Sequence, residues 1–334
     1  MNVGLTYDLK DDYLAEGFDA AAAAEFDNPE TIEGIETAIR RSGHRTDRIG
    51  RLNRLVARLA AGECWDLVFN IAEGFRGSAR EAQVPALLEA YGIPAVFGDA
   101  LCLALCLHKG HAKRIVRDGG FPTPRFMVIA DSDADLSGHA LHYPLFVKPV
   151  AEGTGKGVSA SGLAAGPGEL ARACRSLIER FRQPALAEEY LPGREFTAGV
   201  VGTGSKARLI GVMEVLLLDN AEPGAYTFEN KDKYEDRVRY RLADDSEART
   251  AGDLALGIYR LLGCRDAGRV DLRSDAKGCP QFMEINPLAG LNPEHSDLPI
   301  LCRLAGMNFE QLIAQILVSA QERVESRDDV RFRT

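Results

Sequence analysis

Two short runs near the C-terminal end constrain the chain most: Gly268-Arg269-Val270-Asp271-Leu272 and Phe282-Met283-Glu284-Ile285-Asn286. Each reads as a β-strand in which polar side chains alternate with apolar ones. Arg269 and Asp271 therefore share one face of the first strand, and Glu284 and Asn286 share one face of the second. Between them, Ser274-Asp275-Ala276-Lys277-Gly278 is turn chemistry. A hairpin here gathers one cation and three oxygen donors. Asp, Glu and Asn offer hard oxygen ligands of the kind that hold Mg²⁺ together with nucleotide phosphates. Arg offers a planar, permanently charged clamp for phosphate or an oxyanion. A half-exposed hairpin with a charged outer face would explain any one of these residues. Four at this spacing, in otherwise apolar strands, favour a metal–phosphate site.

The 334 residues are enough for two or three domains, and 46% hydrophobic with 27% charged residues is ordinary for a soluble globular protein. A formal net charge of -9 argues against a general nucleic-acid or anionic-membrane binder, though not against a local basic pocket. Seven cysteines are scattered without a C-x-x-C pair, so the spacing indicates neither a zinc site nor a disulfide framework. Free thiols in a reducing compartment are the simpler expectation. Met1 to Asp8 has no basic stretch leading into an apolar core, and no apolar run approaches membrane-spanning length. The cytoplasm is the expected location, with no membrane and no nucleic-acid partner.

Val3–Tyr7 and Asp66–Asn70 read as strands, with helices over residues 32–41 and 82–91, so the first 105 residues form an expected α/β domain with a parallel sheet. The rest is α+β in parts. One helix is expected over 101–118, then strands at 126–129 and 145–148, a helix at 167–181 and strands near 186–190, 196–201 and 208–217. A long charged loop (219–238), a helix at 248–262, the hairpin and two closing helices follow. The expected divisions are 1–105, 106–188 and 189–325, with residues 326–334 a frayed tail. Ala20–Ala24 reads as a helical run.

Strand Phe146-Val147-Lys148 runs through Pro149 into Glu152-Gly153-Thr154-Gly155-Lys156-Gly157. Glycines at alternate positions let backbone N–H groups converge on phosphate oxygens. The Walker A spacing is absent. A glycine-rich surface loop is weak evidence alone, and stronger after an apolar strand that ends in Lys-Pro.

With these segments in order, the chain resembles the ATP-grasp superfamily and, within it, the D-alanine–D-alanine ligase family. The resemblance runs from about Asp66 to Pro299. It rests on Glu81 to Glu89, His108-Lys109, Val147-Lys148-Pro149 with its glycine loop, Glu188 to Phe196, Lys231-Asp232-Lys233-Tyr234 and the hairpin. It implies a three-domain ATP-grasp fold, an N-terminal parallel-sheet domain and two α+β domains that sandwich ATP. It implies that Lys109, Lys148 and Lys233 bind phosphates, with Glu152, Gly153, Gly155 and Gly157 in the loop around them. Glu188, Glu189, Tyr190 and Leu191 would read the adenine edge, and Glu195 would take the ribose. Asp271, Glu284 and Asn286 would hold two Mg²⁺ ions, or Mn²⁺ in their place, with Glu284 bridging. Arg269 would stabilise the tetrahedral oxyanion. Lys233 and Tyr234 lie in a loop (225–236) that would close over the site, and Thr154 would stand in the catalytic glycine loop. Gly290 N–H and Ser296 Oγ would hold the carboxylate of the amine substrate. The implied reaction is carboxylate–amine ligation through an acyl phosphate, in a homodimer.

The chain departs from that family around the substrates. Tyr7 to Tyr13 replaces a Gly-Gly-x-Ser-x-Glu loop, and Glu25, Asp27 and Glu30 are all candidates for its ammonium-binding carboxylate. Glu73-Gly74 stands where the family has His-Gly. Thr154-Gly155-Lys156 replaces a serine pair and adds a cation. Asn286 to Leu298 is also altered, with Glu294 and Asp297 adding negative charge. These differences favour a related carboxylate–amine ligase of specialised metabolism over the cell-wall D-alanine–D-alanine ligase. A carboxylate–thiol ligase or an acyl-phosphate-forming kinase would share the first half-reaction. A regulatory nucleotide-binding module would have no use for Arg269.

Overall fold

The computed structural model describes residues 1–19, 23, 25–153, 155–222, 229–230 and 234–331, without the side chains of 234 and 326–331. Most of the Ala20–Ala24 run, Thr154, Lys233 and the side chain of Tyr234 therefore lie outside the described residues.

Strand β1 (Asn2–Thr6) sits between β2 (Arg45–Arg48) and β3 (Leu67–Asn70), all parallel. Helices α1 (Lys10–Ala15), α2 (Pro29–Arg41), α3 (Leu52–Ala60) and α4 (Gln83–Ala90) surround this sheet. Helix α2 opens on Pro29, where a missing N–H costs nothing, and buries Ile32, Ile35, Ala38 and Ile39 as one stripe. Sequence periodicity missed β2 because Arg-Thr-Asp-Arg has no apolar residue. It is an edge strand that side chains also fasten: Thr46 Oγ1 donates to Glu36 at 3.0 Å, Arg48 Nη2 pairs with Glu36 at 2.7 Å, and Asp47 accepts from Trp65 Nε1 at 2.8 Å.

The single helix expected over 101–118 is two, α5 (Ala100–Leu107) and α6 (Lys109–Asp118). His108 leaves the helical region (φ -86°, ψ 92°), and its Nδ1 accepts the His111 N–H at 3.1 Å, capping α6. Lys109 thereby starts a helix, and its backbone N–H goes to Val150 O at 2.9 Å.

A four-stranded antiparallel sheet follows, made of β4 (Phe126–Ile129), β5 (Leu145–Pro149), β6 (Leu163–Ala164) and β7 (Ala185–Glu189) in the order β4-β7-β5-β6. Helix α7 (Pro167–Phe181) packs Leu170 and Cys174 on Leu145, Val147 and Ala187. The third sheet is antiparallel with five strands: β8 (Glu195–Val201), β9 (Arg208–Leu217), β10 (Val238–Leu242), β11 (Ala267–Ser274) and β12 (Pro280–Asn286). Their order is β10-β9-β8-β11-β12. A short helix α8 (Tyr234–Arg237) precedes β10 in the stretch expected to be a loop, and α9 (Ser246–Leu261) covers one face. Two helices close the chain, α10 (Asp297–Leu304) and α11 (Phe309–Arg331), the second running helical through residues expected to fray.

These last helices return to the first sheet. Leu298, Leu312, Ile313 and Ile316 share one core with Leu5, Ile35 and Phe69. Asp266, fully buried with φ +64°, pins the junction. Its carboxylate accepts from Phe97 N at 2.8 Å, Ser319 Oγ at 2.9 Å and Arg323 Nη2 at 2.7 Å.

Candidate active site

The hairpin forms one wall. In the β11–β12 ladder Arg269 faces Asn286 and Asp271 faces Glu284, with a bulge immediately after Asp271. Directly opposed residues bring their side chains together on one face. Asn286 Nδ2 donates to Asp271 Oδ2 at 3.3 Å, and Thr197 Oγ1 donates to Asp271 Oδ1 at 2.9 Å. Thr197, on the neighbouring β8, was not anticipated. Arg269 is held from both sides: Nη2 lies 3.1 Å from Asp271 Oδ2, and Nη1 donates to Asp297 at the start of α10. Glu284 Oε2 lies 3.4 Å from Lys109 Nζ. The structure thus brings Lys109, Arg269, Asp271, Glu284 and Asn286 together.

A second cluster stands behind that wall. Glu188 is fully buried between two lysines, with Oε1 2.8 Å from Lys148 Nζ and Oε2 2.8 Å from Lys113 Nζ. Lys113 also donates to Thr123 Oγ1 and Phe282 O, each at 3.0 Å. Burial would raise the Glu188 carboxyl, but the two ammonium groups outweigh it and hold it low. Burial pushes Lys113 down to about 8 against the pull of Glu188. Lys148 also feels burial, yet Glu188 and Glu284 raise it. Sequence reading took the Glu188 segment for its backbone and passed over Lys113. The missed signal was a carboxylate in the otherwise apolar run Ala185-Leu186-Ala187, which cannot be buried without cations.

Most of the remaining nucleotide candidates line one cavity, whereas Glu152 and Gly153 line an adjoining cleft and Gly157 a separate one. Lys148, Gly155, Glu188, Glu189, Tyr190, Leu191 and Glu195 face the first of these, together with Phe146, Val158 and Met283. Glu189 also reaches outward, its Oε1 accepting the His142 N–H at 2.9 Å, which fits a strand rim. Burial raises the Glu195 carboxyl despite Arg273, whose Nη1 is 3.6 Å away. In the glycine loop, Gly155 and Gly157 take left-handed φ of +72° and +76°. A Cβ on Gly157 would come within 2.5 Å of Pro149, so that glycine is also required for packing. Gly153 N–H is already engaged, donating to Glu25 Oε1 at 2.7 Å. Lys156 Nζ lies 3.2 Å from Glu152, whose carbonyl accepts from Lys109.

A cleft of about 680 Å³ adjoins the cavity at Arg269, Glu284 and Asp297. It is bounded on the N-terminal side by Glu25, Asp27, Glu73 and Glu81. Glu25 is tied to Arg80 at 2.9 Å and to the glycine loop. Burial would raise it, but Arg80 and the Gly153 N–H keep it below its usual value. Glu30 is exposed and does not line the cleft. Asp27 is pushed up to about 7 by burial and then by Asp8. Glu73 is driven up by burial and by Glu81, and burial takes Glu81 to about 7 despite Arg80. Of the three open alternatives, Asp27 alone both lines the cleft and is free of an arginine. Glu73 and Glu81 form a carboxylate pair that sequence spacing did not reveal. On the far side, Gly290 and Ser296 face each other, a Cβ on Gly290 falling 2.9 Å from Ser296 Oγ, which accepts the Asn292 N–H at 3.0 Å.

Comparison with known proteins bears on the fold and the family. The D-alanine–D-alanine ligase from Bacillus anthracis complexed with ATP superposes over 98% of this chain and 99% of its own, with a TM-score of 0.74 at 19% identity. The fold is therefore ATP-grasp, with a parallel sheet followed by antiparallel ones. The uncharacterised protein y4sG of Sinorhizobium fredii is 32% identical over 77% of this chain and 75% of its own length. The D-alanine–D-alanine ligase of Azoarcus sp. is 34% identical over 78% of this chain and 81% of its own. A family model described as the D-ala D-ala ligase C-terminus matches residues 115–318. By these matches the chain belongs to the D-alanine–D-alanine ligase family, whose members are ATP-dependent, ADP-forming ligases.

Proposed function

We propose that the protein joins two small, amino-acid-like substrates, a carboxylate and an amine, through an acyl phosphate. The observation that carries this reading is the pairing of Asp271 with Glu284 across the hairpin, with Arg269 against Asp271. The donor set fits Mg²⁺: two carboxylates and an amide oxygen on one face, beside a phosphate-binding cation in Lys109. The adjoining cavity fits a nucleotide, with Phe146, Val158 and Met283 as apolar walls and Lys148 at one end. Bound there, ATP with two Mg²⁺ ions (or Mn²⁺) supplies the phosphoryl transfer that makes a carboxylate electrophilic.

The chain's own residues do the rest. Asp271, Glu284 and Asn286 would hold the ions. Lys148, kept charged by Glu188, and Lys109 hold phosphate oxygens, and Lys233 is assigned the same role. Thr154 and Tyr234 complete the phosphate side. Glu188 to Leu191 offer their backbone to the base, and Glu195 accepts from the ribose. Arg269 faces the acyl carbon, where it stabilises the oxyanion formed as the amine attacks. Gly290 N–H and Ser296 Oγ bind the amine substrate's carboxylate, and Asp27 receives the ammonium of the first substrate. We assign residues 1–105, 106–188 and 189–325 to the three domains, in a cytoplasmic homodimer. No helix among the described residues is long and apolar enough to cross a membrane.

A second reading, the cell-wall D-alanine–D-alanine ligase itself, draws support from the name and 34% identity of the Azoarcus relative. The altered loops and the acidic cleft favour a different pair of substrates. Phosphate release with ATP and Mg²⁺ against a panel of D- and L-amino acids, singly and in pairs, separates them. Release with D-alanine alone restores the cell-wall enzyme. Release with no pair, alongside normal ATP binding, would overturn the ligase assignment in favour of a regulatory module.

A further inference from the structure

Three cysteines far apart in sequence meet in the interior. Cys102 and Cys106 lie one turn apart on α5, and Cys264 lies in the segment that leads into β11. Their sulfur atoms all lie within 4.8 Å of one another, and Cys102 Sγ and Cys264 Sγ are 3.7 Å apart. All three residues are buried, at 2–4% exposure.

We propose that Cys102, Cys106 and Cys264 form a thiolate site for a divalent thiophilic ion, Zn²⁺ being the one that fits. Thiolates bound to one zinc at about 2.3 Å stand about 3.8 Å from each other in tetrahedral geometry. The Cys102–Cys264 separation already has that value, and the third sulfur needs to move by no more than about 1 Å to match it. A disulfide would instead require the same pair to close to about 2.0 Å. The helix geometry favours a thiolate as well. Cys102 is the third residue of α5, near the positive end of the helix. Three thiolates and one divalent ion carry a single net negative charge.

The position gives the ion a role. Cys106 is followed closely by Lys109, and Cys264 by Arg269 and Asp271. Cys106 also lines the substrate cleft, so a fourth, exchangeable ligand has a route to the metal. Zinc here clamps α5, which leads through His108 to Lys109, to the segment that enters the strand bearing Arg269 and Asp271. The site is distinct from the Mg²⁺ wall, which offers only oxygen donors.

The test uses the reduced full-length chain under anaerobic conditions. With Co²⁺ as probe, sulfur-to-cobalt charge-transfer absorption is expected to reach one equivalent per chain. Zn²⁺ should abolish the band, and Mg²⁺ should not. Cys102→Ser and Cys264→Ser should lose the band, while Cys64→Ser, altered at an exposed thiol, should keep it. Zinc should also raise the thermal midpoint of the wild type and not of the cluster variants. Because the band is read first on the unaltered protein, a variant that fails to fold does not decide the outcome. Absence of the band in wild type, its persistence in both cluster variants, or peptide mapping that shows a Cys102–Cys264 disulfide in its place would overturn the proposal.

Discussion

Asp297 takes one terminal nitrogen of Arg269 while Asp271 takes the other at 3.1 Å, so an arginine that is 8% exposed is held between the hairpin and the first residue of α10. Removing one partner of a buried ion pair costs about 3–5 kcal/mol. Asp297→Ala should fall at the lower end, because Asp271 remains. Arg269→Ala should lower kcat by about a hundredfold or more. Urea midpoints and phosphate release measure the two effects separately. A negligible rate change in Arg269→Ala would make its role structural.

Glu284→Gln should abolish turnover with the fold retained, since it removes the carboxylate opposite Asp271 and leaves the ladder intact. Circular dichroism and ATP hydrolysis at saturating Mg²⁺ check this. Near-normal rates would sink the metal assignment.

Lys113 titrates near 8 in the folded protein against an ordinary 10.5, because burial disfavours its charge. Between those values the unfolded chain binds more protons than the folded one, so this group's contribution to stability rises with pH. Lys113→Met should remove that rise. It should also strand Glu188 with one cation and weaken the hold on Lys148, so that ATP affinity falls. Urea midpoints from pH 7.5 to 10 in both proteins, with ATP titrations at neutral pH, make the comparison.

Glu81 works in the opposite sense. Its folded value of about 7 exceeds the ordinary 4.5, so stability from this group is highest below about 4.5 and is lost as pH rises towards 7. Glu81→Gln should flatten the thermal midpoint between pH 5 and 7 and raise it at pH 7. A variant that is less stable at pH 7 would mean that the Arg80 attraction outweighs burial.

Asp266→Ala should destabilise by about 3–5 kcal/mol, because it leaves Arg323 without its buried carboxylate and Phe97 N–H without an acceptor. The loss should appear in the urea midpoint of the first sheet together with that of the last helix, since both share the node.

Local patterns carried the sequence reading a long way. Residues 167–181 opened on Pro and kept a helical stripe, and α7 has those bounds. The alternation in the hairpin announced the faces of β11 and β12. What escaped depended on partners distant in sequence. Lys113 has an ordinary place on an amphipathic helix and gains meaning only when Glu188 arrives from another strand. The choice among Glu25, Asp27 and Glu30 turns on Arg80 and Gly153, which no spacing connects to them. The break at His108 hides in a run that satisfies helical periodicity on both sides.

That break ties two cations to one piece of the protein. Lys109 N–H is bonded to Val150 O, and Val150 follows closely on Lys148. Lys109 Nζ in turn rests on the carbonyl of Glu152. Helix α6 is tied to the hairpin as well, through Lys113 Nζ and Phe282 O at 3.0 Å, so both lysines and the carboxylates of β12 sit on one continuous frame whose spacing is set before any ligand arrives.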